Sequence, residues 1–228
     1  MRAYFRDRPE AGGLLARKLL AYASRADVLV LALPRGGVPV AYAIAQRLHA
    51  PMDVLVVRKL GVPGKEEYAM GAIASGGIEV LHMPVISALQ IPVEAIEAAV
   101  ARERAELGRR EKAYRGDRAP PLVRGRTVIL VDDGIATGST VRAAVKALRH
   151  MDAQRVVIAA PTAAPSTVRD LRHEADEFVA IITPEDFYGV GQWYVDFAPT
   201  TDEEVQDLLA AAARSYAGLR LRSGQPAP

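Results

Sequence analysis

Residues Thr127 to Thr140 read TVILVDDGIATGST. The run Val128, Ile129, Leu130, Val131 is apolar and mostly β-branched, the pattern of a parallel strand buried on both faces. Two carboxylates, Asp132 and Asp133, follow at once. A turn of small and hydroxylated residues comes next (Gly134, Ala136, Thr137, Gly138, Ser139, Thr140), and then an amphipathic helical pattern from Val141 to Leu148. Strand, loop and helix start in that order place the loop at the carboxyl end of a strand, where open α/β sheets bind ligands. Backbone amides of such a loop, with the positive end of a helix dipole, make an anion site. A phosphate alone gives no reason for two adjacent carboxylates. A ligand that also carries vicinal hydroxyls, or that brings a divalent cation, does.

The 228 residues suffice for one large domain with a buried core. Half are hydrophobic and a quarter charged, as in an ordinary soluble protein. A net charge of +2 argues against nucleic acid or an acidic membrane as the main partner. Absence of cysteine removes disulfides, thiolate catalysis and Cys-based zinc sites. His49, His82, His150 and His173 lack ligand spacing. The start of the chain, MRAYFRDRPEAGG, is polar, and no apolar run reaches the length of a membrane span. A cytoplasmic protein without membrane contact is the expectation.

Along the chain, residues 10–23 carry helical apolar spacing, and Asp27–Leu33 reads as a buried strand. The turn PRGGVP (34–39) follows. Gly36 and Gly37 permit close backbone approach to a ligand, and Arg35 adds a planar cation suited to phosphate. Met52–Val57 reads as a strand ending in Arg58 and Lys59. After it, Gly61–Ala72 has the polar, hinge-rich composition of a mobile lid, including Glu67 and Tyr68. Gly71–Leu81 is expected to be a hairpin turning at Ser-Gly-Gly. Residues 92–115 form a helical segment dense in both charges, expected to be a solvated helix inserted into the domain. Strands at 155–160 and 177–182 and a short helix at 166–173 continue the βα alternation of a doubly wound, mainly parallel sheet. Residues 184–197 gather Phe187, Tyr188, Trp193, Tyr194 and Phe197, which suits either a stacking surface for a flat ring or an anchor to the core. Thr201–Leu221 reads as a capped amphipathic helix.

The acid pair followed by a turn ending in Thr-Gly-x-Thr resembles the ribose-5-phosphate loop of type I phosphoribosyltransferases. The chain looks closest to an uncharacterised bacterial branch of that family, in which FRDR near the start and DEEV near the end are also expected. The resemblance implies a single domain over 1–228, with a small hood, a flexible catalytic loop, and residues 184–197 as the hood loop over the acceptor. It implies that Asp132 and Asp133 bind the ribose hydroxyls of phosphoribosyl pyrophosphate (PRPP), and that Ala136, Thr137, Gly138, Ser139 and Thr140 wrap its 5′-phosphate. Arg35, Gly36 and Gly37 would hold pyrophosphate. RKLGVPG resembles the opening of the catalytic loop in adenine-type enzymes, which makes Arg58 and Lys59 catalytic. Tyr188, with Val190, falls at the acceptor-stacking position, and Asp196 lies one residue off an acidic position of that pattern. Ala136 stands where 6-oxopurine enzymes have an Asp.

The implied activity is a Mg²⁺-dependent transfer of 5-phosphoribosyl from PRPP to a nitrogen nucleophile, with release of pyrophosphate, by a homodimer. The magnesium is expected on substrate oxygens and water, with no ligand supplied directly by the protein. Two other readings stay open: a PRPP-binding regulator without catalysis, and an RNA-binding attenuator on the same fold.

Overall fold

The apolar run after Asp27 forms β1 (Val28–Ala32), buried at all five residues. The structure, a computed structural model, describes residues 4–116 and 118–222. Ahead of β1 lies α1 (Arg8–Lys18), started by the Asp7 side chain, which accepts the Glu10 amide at 2.8 Å, and by Pro9 in its first turn. After β1 come α2 (Gly37–Leu48) and β2 (Met52–Val54). A second group follows: β3 (Val57–Val62), β4 (Lys65–Ala74), β5 (Ile78–Leu81), α3 (Met83–Ala88) and α4 (Val93–Arg115). The chain then returns with β6 (Thr127–Val131), α5 (Ser139–His150), β7 (Arg155–Thr162), α6 (Pro165–Leu171), β8 (Glu177–Ile182) and α7 (Asp202–Arg222).

The main sheet runs β2-β1-β6-β7-β8 with every pair parallel, and β6 sits at its centre, Val128 beside Leu29 and Val131 beside Ala32. Alternate residues face opposite ways. Val28, Val30, Ile129, Val131, Val157 and Ala159 pack with α1, α2 and α7. Leu29, Leu31, Val128, Leu130, Val156 and Ile158 pack with α5 and α6. Helices on both faces make this the doubly wound, mainly parallel α/β fold that the sequence implies.

The segment expected to be a lid is ordered differently. The strand from Met52 stops at Val54, and Arg58 and Lys59 lie inside β3 of a second, antiparallel sheet, β3-β4-β5, which forms the hood. Residues 65–74 are strand, so the irregular stretch reduces to the Pro63–Gly64 tip, where Gly64 takes φ 73°. Shared burial explains this: Leu60 and Val62 of β3 and Met70 and Ile73 of β4 are buried in one core with Ile96, Val100 and Leu107 of α4, so both strands of the hairpin own an apolar face. The hairpin at Ser75–Gly77 stands where the sequence puts it.

The charged segment is a continuous helix, as read, but it is not wet throughout. Ile96, Ala99, Val100, Leu107 and Tyr114 are buried, and so is Arg115 at its end. Arg115 donates to Asp53 Oδ1 at 2.9 Å, to the Val54 carbonyl at 2.5 Å and to Glu111 at 3.3 Å. Removing one partner of a buried, hydrogen-bonded pair strands the other. Arg115→Ala is therefore expected to lower unfolding free energy by about 3 kcal/mol, measured by urea denaturation; a change below about 1 kcal/mol would show the pair to be dispensable.

Candidate functional site

Parallel pairing of β1 with β6 puts their carboxyl ends side by side, so residues 33–37 and 132–138 are neighbouring loops. The Leu33 amide donates to the Val131 carbonyl at 2.8 Å and fixes the first against the second. Their approach is closer than any side chain allows. A Cβ on Gly36 would lie 2.0 Å from Asp133 Oδ2, and one on Gly37 would lie 2.6 Å from the Val131 carbonyl oxygen. The Pro34–Arg35 peptide bond is cis.

Residues 134–140 are pinned from below. The Ile135 amide donates to the Thr162 carbonyl and the Ala164 amide to the Ile135 carbonyl, both at 2.9 Å. Thr167 Oγ1 donates to the Ala136 carbonyl at 2.5 Å. Gly138, at φ 70°, turns the chain into α5. The amides of Ala136 to Thr140 have no acceptor among the described residues. Together with Asp132 and Val190 they line a cavity of about 150 Å³. Bare amides at a helix start form an anion cradle.

The two carboxylates are not equivalent. Asp133 Oδ2 accepts Arg8 Nε at 2.8 Å, with the two side chains 14% and 10% exposed. Arg8 also donates through Nη1 to the Ala198 carbonyl at 2.7 Å and lies 3.9 Å from the Phe197 ring centre. The Tyr194 hydroxyl donates to the Asp133 backbone carbonyl at 2.6 Å. Asp132 accepts the Asp133 amide at 2.9 Å and has no cation in contact among the described residues. Burial, and then the neighbouring Asp133 charge, push the Asp132 carboxyl well above the usual range. Burial raises the Asp133 carboxyl as well, against the pull of Arg8. The Tyr194 phenol is raised by burial and by Asp133.

The remaining candidates divide. Arg35 is half-exposed and reaches Asp202 at 3.6 Å. Arg58 and Lys59, adjacent on β3, point to opposite faces. Arg58 is tied to Glu103 of α4 at 2.7 and 2.9 Å, facing away from the loops. Lys59 lines a cavity of about 360 Å³ between the hood sheet and α5, with Tyr68, Arg142 and Lys146. Ser139 lines this cavity and the anion cradle alike, so the two adjoin. The Glu67 side chain falls outside the described residues. In the aromatic loop Trp193 and Tyr194 are buried with Phe5, and Phe187 and Phe197 pack on them, which is the anchoring alternative. Tyr188 stands 89% exposed, apart from the cavity that Val190 lines. Asp196 is exposed and accepts the Ala198 amide at 2.9 Å.

Among the described residues no group of three or more His, Cys, Asp or Glu could hold a metal. Two carboxylates, one of them paired, suit a Mg²⁺ carried mostly by ligand oxygens and water. Arg8 is the residue that the sequence reading misses. Its local signals are the FRDR stretch, which it ends and to which the resemblance gives no role, and the Asp-Arg-Pro helix start; its partner lies 125 residues away.

Residues 9–198 match the model of a family described as a phosphoribosyl transferase domain. A Mycobacterium tuberculosis protein named "Putative phosphoribosyl transferase Rv0571c" is 44% identical over 213 residues, 93% of this chain and 48% of that protein. The chain thus spans about half the length of the mycobacterial relatives it matches. A "Bifunctional protein PyrR" of Brevibacillus brevis is 30% identical over 117 residues, 51% of this chain and 60% of that one. The crystal structure of TT1426 from Thermus thermophilus is 44% identical, covers 91% of this chain and 98% of its own, and superposes with a TM-score of 0.82.

Proposed function

We propose, from the premise that this chain belongs to the phosphoribosyl transferase family, that it transfers 5-phosphoribosyl from PRPP to a nitrogen nucleophile and releases pyrophosphate. One observation carries this reading: a buried acid pair directly beside a cradle of unpartnered amides. A phosphorylated sugar diol needs both at that spacing. Asp132 and Asp133 accept the 2′- and 3′-hydroxyls. Ala136, Thr137, Gly138, Ser139 and Thr140 receive the 5′-phosphate, their amides supplemented by the α5 dipole. Arg35, Gly36 and Gly37, fixed against Val131 and Asp133, take the pyrophosphate side. Mg²⁺, when bound with PRPP, neutralises charge on the leaving pyrophosphate.

Little covalent work falls to the protein, so positioning and electrostatics set the rate. Lys59 faces the cavity adjoining the cradle and supplies its charge from the hood. Arg58 contributes by holding the hood to α4. Val190 closes the cavity wall, and the exposed Tyr188 ring is the stacking surface for an acceptor. The acceptor is a nucleobase-like nitrogen compound. Ala136 offers no side-chain acid for proton transfer, so 6-oxopurines should be poor substrates.

The test is PRPP-dependent pyrophosphate release over a panel of bases and small amines, with PRPP affinity measured by calorimetry. Failure of wild-type protein to bind PRPP would end the reading. Lys59→Ala should lower kcat about 10- to 100-fold with little change in PRPP affinity, because its charge matters most as the leaving group develops. Arg58→Ala should lower thermal stability more than kcat; the reverse pattern would exchange the two roles.

A further inference from the structure

We propose that Arg8 is the positioning residue of the acid pair, clamping the Asp133 carboxylate beside Asp132 and fixing the residues after the aromatic loop to the same point. The inference rests on Asp132 and Asp133 being the diol-binding pair. Arg8 opens α1, and its direction is set by the Asp7 cap and Pro9. Its guanidinium meets the site in three ways. Nε goes to Asp133 Oδ2, Nη1 goes to the Ala198 carbonyl, and the flat face lies over Phe197. That leaves Asp133 Oδ1 without a described side-chain partner, available to a hydroxyl, while Oδ2 is locked in the space that Gly36 leaves open. The Tyr194 hydroxyl holds the Asp133 backbone from the opposite side. The N-terminal helix, the 194–198 segment and the ribose end of the site therefore meet at one ion pair.

Charge gives the second argument. Two adjacent carboxylates away from water resist being ionised together. The charged and titratable groups that face Asp133 are Arg8 from α1, Asp132 on its own loop and Tyr194 from the aromatic loop. Arg8 is the only cation among them. Without it the pair keeps a shared proton to higher pH, and a protonated carboxyl meets a sugar diol less well.

The experiment measures PRPP affinity calorimetrically from pH 6 to 9 for wild type, Arg8→Met, Arg8→Lys and Asp133→Asn, and for the Arg8→Met/Asp133→Asn double variant. Arg8→Met, which keeps the contact with Phe197, is expected to bind at least about 30-fold more weakly at pH 7 and to recover within about fivefold of wild type by pH 9. A residue that only stabilised the fold would cost the same affinity at every pH. Arg8→Lys should keep the wild-type pH dependence, since it keeps the charge, and lose no more than about tenfold, since it gives up the planar fork over Phe197. The double variant should lose no more than Asp133→Asn alone, as a residue acting through Asp133 requires. Wild-type affinity and pH dependence in Arg8→Met would overturn the inference and leave the diol site standing. If Arg8→Met does not fold, the Lys variant decides: a pH-independent loss larger than about tenfold also overturns it.

Discussion

Asp132→Asn is expected to yield a protein that melts higher than wild type at pH 8 and loses the proposed PRPP binding. The Asp132 carboxyl is raised well above its usual range by burial and by Asp133. The native state therefore holds a proton that the unfolded chain releases near pH 4. For a carboxyl shifted upward, stability is full below the unfolded value and is lost as pH rises through the folded one. Wild type should weaken as pH climbs from about 4, whereas the Asn variant lacks this loss. The midpoint of the Asn variant should therefore lie above that of wild type at pH 8 and match it near pH 4. PRPP affinity should fall at least about 100-fold, since an amide cannot offer a diol the charged acceptor it meets here. Scanning calorimetry at both pH values, paired with titration of PRPP, checks both halves. An Asn variant that is less stable and still binds would mean that Asp132 is a structural acid.

Gly36→Ala should be nearly as damaging to binding, for a purely steric reason. Its methyl group would stand 2.0 Å from Asp133 Oδ2 and 2.6 Å from the carboxyl carbon. That carboxylate cannot swing aside cheaply, because Arg8 holds it at 2.8 Å. Either the 34–37 loop backs away from β6 or the ion pair breaks, and each displaces one half of the proposed PRPP site. Overpacking of this kind costs about 1–3 kcal/mol in stability, and a loop shifted by an ångström costs about 100-fold in reactivity. Gly13→Ala provides the control. It lies in α1 with nothing within 4 Å of its would-be methyl, and should gain about 0.5–1 kcal/mol. Pyrophosphate release by Gly36→Ala at the wild-type rate would show that the two loops do not cooperate.

Sequence reading succeeds where the cause is local. The stretch 127–150 announces itself because an apolar run, two acids, a glycine-hydroxyl turn and a helical pattern each have one physical reading, and they occur in register. It fails where distant packing decides. Gly61, Pro63, Gly64 and Lys65 have the composition of a loop, but Leu60, Val62 and Met70 bury together and make strands of the residues around them. The mixed charge of 92–115 says wet helix, and nothing local marks Arg115 as the residue that turns inward to Asp53. The aromatic loop allows two readings, and burial separates them: Trp193 and Tyr194 anchor, whereas Tyr188 does not. Arg8 stands in the FRDR stretch that the resemblance marks, but its role escapes because a partner 125 residues away leaves no local pattern.

The order of strands also bears on how the molecule comes off the ribosome. β1 has β6 as one neighbour, and β6 is made roughly a hundred residues later, after the whole hood and the long helix. Until then the nascent chain carries an apolar strand with one open edge, the condition that invites misassociation. The hood sheet closes through short antiparallel turns and can form early, ahead of α5, against which it will pack. Only once the chain has been made through Thr140 do the two halves of the proposed PRPP site exist together.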